Sequence, residues 1–220
     1  MSEGGFDRVA AFYDPLSRLV FGQALQQAQQ RALDALPPGH PYVLIIGGGS
    51  GRVLLELLAR RPNARVLYVE ASPMMLVKSR ATLLQHAPRH AGQVEFRLGT
   101  QASLQPTESF DAIVTFFFLD LFGPAELAAV LAPLAAARRP GAPWLLADFR
   151  PARRLWQRAL LGAMYGFFRL TTGISAWQLP PLHAELARLG LYPAQQTLFY
   201  GEMVEATVFR EAAPPAAGRT

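Results

Sequence analysis

Glycines 47, 49 and 51 interrupt VLIIGGGSGRVLLELL (43–58) where a buried-strand run gives way to helical spacing. Glycines at that junction permit a tight turn and let a ligand approach the backbone. They also leave the first amides of the following helix open to a carboxylate or phosphate. Glu70 ends the next apolar run, ARVLYVE (64–70), 23 residues after Gly47. That is close to the roughly 20-residue offset at which an acid accepts both hydroxyls of an unphosphorylated ribose. The glycines read GxGxG, with Arg52 where the nicotinamide and flavin fingerprint GxGxxG needs its third glycine. The implied chemistry is the binding of a nucleoside with an anionic tail.

Other reactive residues are sparse. The chain has no cysteine, which excludes disulfides, thiolate zinc sites, iron–sulfur clusters and cysteine nucleophiles. Its four histidines (40, 86, 90 and 183) lack a ligand spacing, and Pro88 separates His86 from His90, so no metal site is expected. No Ser/His/Asp set is recognisable. Asp120, which closes FDAIVTFFFLD (110–120), and His183 are weak candidates for moving a proton. A loop or helix-cap role is the alternative for Asp120.

These residues must be positioned by a regular alternation of elements. Strands are expected at YVLII (42–46), ARVLYVE (64–70), QVEFRLG (93–99), FDAIVTFFF (110–118) and APWLLADF (142–149). Helices are expected at 52–61, from Ser72-Pro73 onward, at 124–139 and at 179–190. Strands apolar on both faces and alternating with helices argue for a parallel sheet covered by helices. LYPAQQTLFYG and EMVEATVFR, meeting at Gly201-Glu202, read instead as an antiparallel hairpin. The expected architecture is α/β, a mostly parallel seven-stranded sheet with a C-terminal antiparallel hairpin.

Only 17% of the 220 residues are charged, against about 25% in ordinary domains, and 51% are hydrophobic. The net charge of +5 comes from scattered arginines, read as solvated helix ends rather than a nucleic-acid surface. The longest apolar runs stop short of the roughly 18 residues a membrane span needs. The N-terminus has no signal pattern, so a cytoplasmic protein is expected. Residues 1–40 read as an N-terminal helical lid, 41–211 as the main domain and 212–220 as a disordered tail.

VLIIGGGSG resembles motif I of class I S-adenosylmethionine-dependent methyltransferases, usually VLDIGCGTG or similar. VLYVEASPMML resembles the strand, acid and helix that follow, VEFRLGTQASL the third-strand segment, and FDAIVTFFFLDLF motif IV. LAPLAAARRPGAPWLLADF resembles the helix, Pro-Gly turn and fifth strand. FDRVAAFYDPLSRLVFG resembles the N-terminal region of the quinone-biosynthesis (ubiquinone/menaquinone) enzymes, where a Tyr-Asp pair precedes the cofactor domain. The resemblance spans roughly residues 6–211, and the order of segments is more specific than any one motif.

The resemblance implies a Rossmann-like fold, S-adenosyl-L-methionine as cofactor and S-adenosyl-L-homocysteine as product. Gly47, Gly48, Gly49 and Glu70 would hold the amino acid and ribose parts of the cofactor. Gln101 and the Met74-Met75 region would border the adenine, whose edge Thr100 or Gln101 could hydrogen-bond, Phe116 would border the sulfonium, Ala71 would contact the cofactor, and Tyr13 would close over it. Family members usually carry acids where this chain has Ile45 and Thr100. A catalytically inactive cofactor-binding or interaction protein of the same fold is therefore the alternative to an enzyme. Methyl transfer to oxygen or carbon of a small apolar or aromatic molecule is expected, under an apolar helical cap at about 153–178. A peripheral membrane contact or a homodimer contact is the other reading of that cap.

Overall fold

The computed structural model describes residues 20–172 and 179–212. Helix α1 (Ala24–Leu33) leads into strand β1 (Tyr42–Ile46), α2 (Arg52–Arg60), β2 (Arg65–Glu70), α3 (Pro73–His86) and β3 (Val94–Leu98). Then come β4 (Ala112–Phe116), α4 (Pro124–Ala136), β5 (Trp144–Phe149), α5 (Leu155–Thr172) and α6 (Leu182–Arg188). Strands β6 (Leu191–Phe199) and β7 (Val204–Glu211) close the chain. Tyr13, the rest of 1–19, residues 173–178 of the expected cap and the tail from 213 lie outside the described residues.

Residues alternate across each strand, so an element apolar at every position buries both its faces. Val43 and Ile45 of β1 join a cluster with Leu54, Leu57 and Leu58 of α2 and Ala28, Ala32 and Leu33 of α1. Leu44 and Ile46 point the other way, into a cluster with Leu127, Val130, Leu131 and Leu134 of α4 and Leu182 and Leu186 of α6. The sheet between these layers has the order β3-β2-β1-β4-β5-β7-β6. Its first five strands are parallel, and β7 runs antiparallel between β5 and β6, as the expected hairpin requires. Tyr200, Gly201 and Glu202 all have positive φ at the hairpin turn. Pro193 sits beside a bulge in the edge strand, where a missing N–H is tolerated.

The Ser72-Pro73 start is built as expected: the Ser72 Oγ accepts from the Met75 N–H at 3.1 Å. The fourth strand departs from the apolar run. It stops at Phe116, and Phe117 takes φ +50°, a conformation that L side chains with a bulky ring avoid. The chain then makes a short 3-10 turn, Leu119–Leu121. Among the described residues no helix is long and apolar enough to cross a membrane.

Candidate active site

Parallel strands deliver their following loops to one edge of the sheet, so the ends of β1, β2, β3, β4 and β5 meet there. The glycine turn after β1 is held from three sides. The Gly47 N–H donates to the Val69 carbonyl at 2.9 Å. The Tyr68 hydroxyl donates to the Gly49 carbonyl at 2.9 Å. The Glu70 carboxylate accepts from the Gly49 N–H and the Ser72 N–H, both at 3.0 Å. Glu70 is nearly buried, and its carboxylate joins the glycine turn to the start of α3.

The glycines differ in what surrounds them. A β-carbon on Gly48 would fall 2.5 Å from the Tyr68 hydroxyl, and one on Gly47 2.5 Å from the Phe118 ring. A β-carbon on Gly51, at φ +87°, would fall 2.9 Å from the Ser79 backbone, so the start of α2 lies against α3. At Gly49, with φ +61°, nothing lies within 4 Å. The open side of the turn is therefore the side from which a ligand can come close to the backbone.

Gly47, Gly48, Gly49, Glu70, Ala71 and Met75 are brought together by these bonds and by the Ser72 cap. Thr100 and Gln101 join them through β3, because the Gly99 N–H donates to the Glu70 carbonyl at 3.0 Å. The Thr100 hydroxyl accepts from the Ala102 N–H at 3.3 Å and so starts the 3-10 turn Gln101–Ser103. Ile45 is buried in the first core cluster. Phe116 is buried in that same cluster, whereas Phe118 packs against the opposite one and covers Gly47. Tyr13 lies outside the described residues.

Asp120 does not cap a helix. It is buried in the turn after β4, within hydrogen-bonding reach of Asp148, which β5 buries completely. The Asp148 Oδ1 accepts from the Phe149 N–H at 2.8 Å. Asp120 Oδ1 and Asp148 Oδ2 have no donor from any other protein group. Burial pushes the Asp120 carboxyl up to about 6, partly offset by a hydrogen bond from Asp148. Burial and then the charges of Asp120 and Glu205 push the Asp148 carboxyl well above the usual carboxylate range.

Glu205 stands opposite Asp148 in the β5–β7 register. It is bonded to the His183 Nε2 at 2.8 Å, the Thr207 hydroxyl at 3.0 Å and the Gln196 amide at 2.5 Å, with Arg150 at 3.8 Å. Burial raises its carboxyl, but the bonds to His183, Thr207 and Gln196 outweigh this and hold it below the usual range. The two proton-transfer candidates, Asp120 and His183, thus each stand beside a buried acid, Asp148 and Glu205, and those two acids face each other across the β5–β7 register. Neither of those linking acids stands out in the sequence, although an acid inside an apolar strand is the signal to look for, since buried carboxyls need partners.

On the other face an unbroken string of rings runs from the end of β4 to α5. Phe117 meets Phe149 at 5.2 Å, Phe149 meets Phe21 at 5.2 Å, Phe21 meets Tyr200 at 5.1 Å, and Tyr200 meets Trp156 at 6.0 Å. Among the described residues no group of three or more His, Asp or Glu side chains could hold a metal ion.

Comparison with known proteins gives relatives of one kind. Residues 44–143 match a family described as a methyltransferase domain. The chain is 28% identical over 215 residues to a demethylmenaquinone methyltransferase of Thermus thermophilus, covering 89% of this chain and 95% of that one. It is 28% identical over 140 residues to a ubiquinone biosynthesis O-methyltransferase of Paramagnetospirillum magneticum, covering 64% of this chain and 53% of the relative, little more than half its length. A Burkholderia thailandensis 1,6-didemethyltoxoflavin-N1-methyltransferase, solved with 1,6-didemethyltoxoflavin and S-adenosylhomocysteine bound, superposes with a TM-score of 0.66 at 19% identity. The superposition covers 94% of this chain and 87% of that one, and it shows the fold.

Proposed function

We propose that this class I, S-adenosylmethionine-dependent methyltransferase transfers its methyl group to oxygen or carbon of a small apolar or aromatic acceptor. The observation that carries the reading is the closure of Glu70 onto Gly49, beside open space over Gly49. The donor set fits the cofactor. The open side of the turn leaves room for the amino acid end, and a carboxylate oxygen accepts from more than one donor, so Glu70 can take ribose hydroxyls as well.

Gly47, Gly48 and Gly49 would bind the amino acid end and Glu70 the ribose. Ala71, Met75, Thr100 and Gln101 would border the adenine, and Phe116 the sulfonium side. When bound, S-adenosylmethionine supplies an electrophilic methyl carbon and leaves as S-adenosylhomocysteine. The protein's part is then to align the acceptor with that carbon and exclude water. The ring string from Phe117 to Trp156 supports an aromatic acceptor, because such rings stack or pack edge-on with another π-system.

The test is incubation with methyl-labelled S-adenosylmethionine and a panel of phenols, catechols, quinols and hydroxyflavones. Label should appear in an organic-extractable aromatic product. Cofactor binding with no labelled product from any acceptor would favour the inactive alternative. Absence of binding by S-adenosylhomocysteine would overturn the reading altogether.

A further inference from the structure

The Asp120–Asp148 pair has no role in the cofactor contacts above, yet Asp120 lies two residues from Phe118, which covers Gly47. Two carboxyls within hydrogen-bonding reach, buried, with one unsatisfied oxygen on each, are compatible only if one proton is held between them. With that proton the pair is one acid donating to one carboxylate, a short and strong bond. Without it, two like charges face each other where water cannot screen them.

What the pair anchors follows from the chain. Asp120 belongs to the Leu119–Leu121 turn, whose preceding residue Phe118 lies on Gly47. The other tether of this segment is the Phe117 N–H, which donates to the Ala147 carbonyl at 2.8 Å, one residue before Asp148. Phe117 itself is held at φ +50°, a strained conformation that persists only while its surroundings enforce it.

We propose that Asp148 is a positioning residue for the glycine turn, acting through Asp120 and Phe118, and that this anchorage rests on the cofactor-binding reading given above. The groups facing the pair decide its sign. Glu205 on β7 adds negative charge across the β5–β7 register, while its own partners His183 on α6, Gln196 on β6, Thr207 and Arg150 are directed at Glu205. The surroundings therefore favour keeping the proton between Asp120 and Asp148 at neutral pH. Rising pH removes it, pushes the turn away from β5, and loosens Phe118 from Gly47.

The experiment is calorimetric titration with S-adenosylhomocysteine from pH 7 to pH 9.5, using the wild type, Asp148→Asn and Asp120→Asn. Either asparagine variant keeps a hydrogen bond between the two side chains but cannot place two charges there. The ligand's own amine titrates alike in every titration, so the readout is the ratio of wild-type to variant Kd. That ratio should stay near its pH 7 value while the proton is held between the pair and rise, by at least ten-fold, once rising pH removes it. An aspartate that merely stabilised the fold would shift the melting temperature and leave the ratio constant with pH. A constant ratio overturns the proposal while leaving the cofactor reading intact. No binding by the wild type at pH 7 overturns both. Should Asp148→Asn fail to fold, Asp120→Asn decides alone.

Discussion

The hydroxyl of Tyr68 occupies the space that a side chain on Gly48 would need, with 2.5 Å between the oxygen and a β-carbon built there. The same hydroxyl holds the next carbonyl, that of Gly49. Gly48 and Gly49 are therefore required for different reasons. Gly48→Ala forces the buried Tyr68 ring to move and breaks its bond to the turn, so it should lower the melting temperature by several degrees and weaken cofactor binding. Gly49→Ala meets no atom but must take a positive φ, at a cost of roughly 1–2 kcal/mol, and places a methyl group on the open side of the turn. It should fold with a modest loss of stability yet bind S-adenosylhomocysteine at least ten-fold more weakly. Thermal melts paired with calorimetry separate the two.

Glu70→Gln keeps the side-chain volume and removes the charge that accepts from Gly49 and Ser72. Hydrogen bonds to a charged acceptor contribute about 1.5–3 kcal/mol each, and the ribose hydroxyls would use the same oxygens. Affinity for S-adenosylhomocysteine should fall by about ten- to a hundred-fold. Adenine, which lacks the ribose, should bind wild type and variant alike. Equal weakening for both ligands would assign Glu70 to shaping the turn rather than to holding the sugar.

The glycine turn and Glu70 were legible because their chemistry is local. A buried strand, four glycines and a helix lie in one stretch, and the acid ends the next strand. The Asp148–Glu205 pairing was not legible, since residues in WLLADF and VEATVF become neighbours only through the β5–β7 register. Phe118 escaped for another reason. Strict alternation would put Phe116 and Phe118 on one face of the sheet, but the positive φ at Phe117 turns Phe118 to the opposite face. Nothing local marks a phenylalanine for that conformation. Asp120, read as a cap or a loop acid, is drawn inward by the same turn.

Between the strand ends, β4 and β5 are joined by a buried polar contact. The Trp144 indole N–H donates to the Thr115 hydroxyl at 2.8 Å, and both residues are fully buried. Thr115→Val preserves the shape and leaves that N–H unsatisfied, which costs about 1–3 kcal/mol. In a chain of this size each kcal/mol lowers the melting temperature by about 2–4 °C. Thr115→Ser should recover most of the loss, because it restores the acceptor. A valine variant as stable as the wild type would mean the indole finds another partner.

Asp120 makes the stability depend on pH in the direction opposite to most carboxylates. Its folded value, pushed up to about 6, exceeds the ordinary value of 3.8. The folded protein thus binds that proton more tightly, so this contribution to stability is complete below pH 4 and is lost as pH rises through 6. Glu205, held low by its partners, contributes the reverse, with stability present at neutral pH and lost on acidification. Asp120→Asn removes the first contribution only. Its melting temperature should match the wild type near pH 4 and exceed it by several degrees at pH 7.5, with the divergence developing between those values. Replacing His183 by Ala instead leaves Glu205 buried without its imidazole partner and should lower stability at neutral pH more than at pH 4. If Asp120→Asn melts below the wild type at pH 7.5, the ionised Asp120 carboxylate is stabilised by its surroundings and its titration does not oppose folding at that pH.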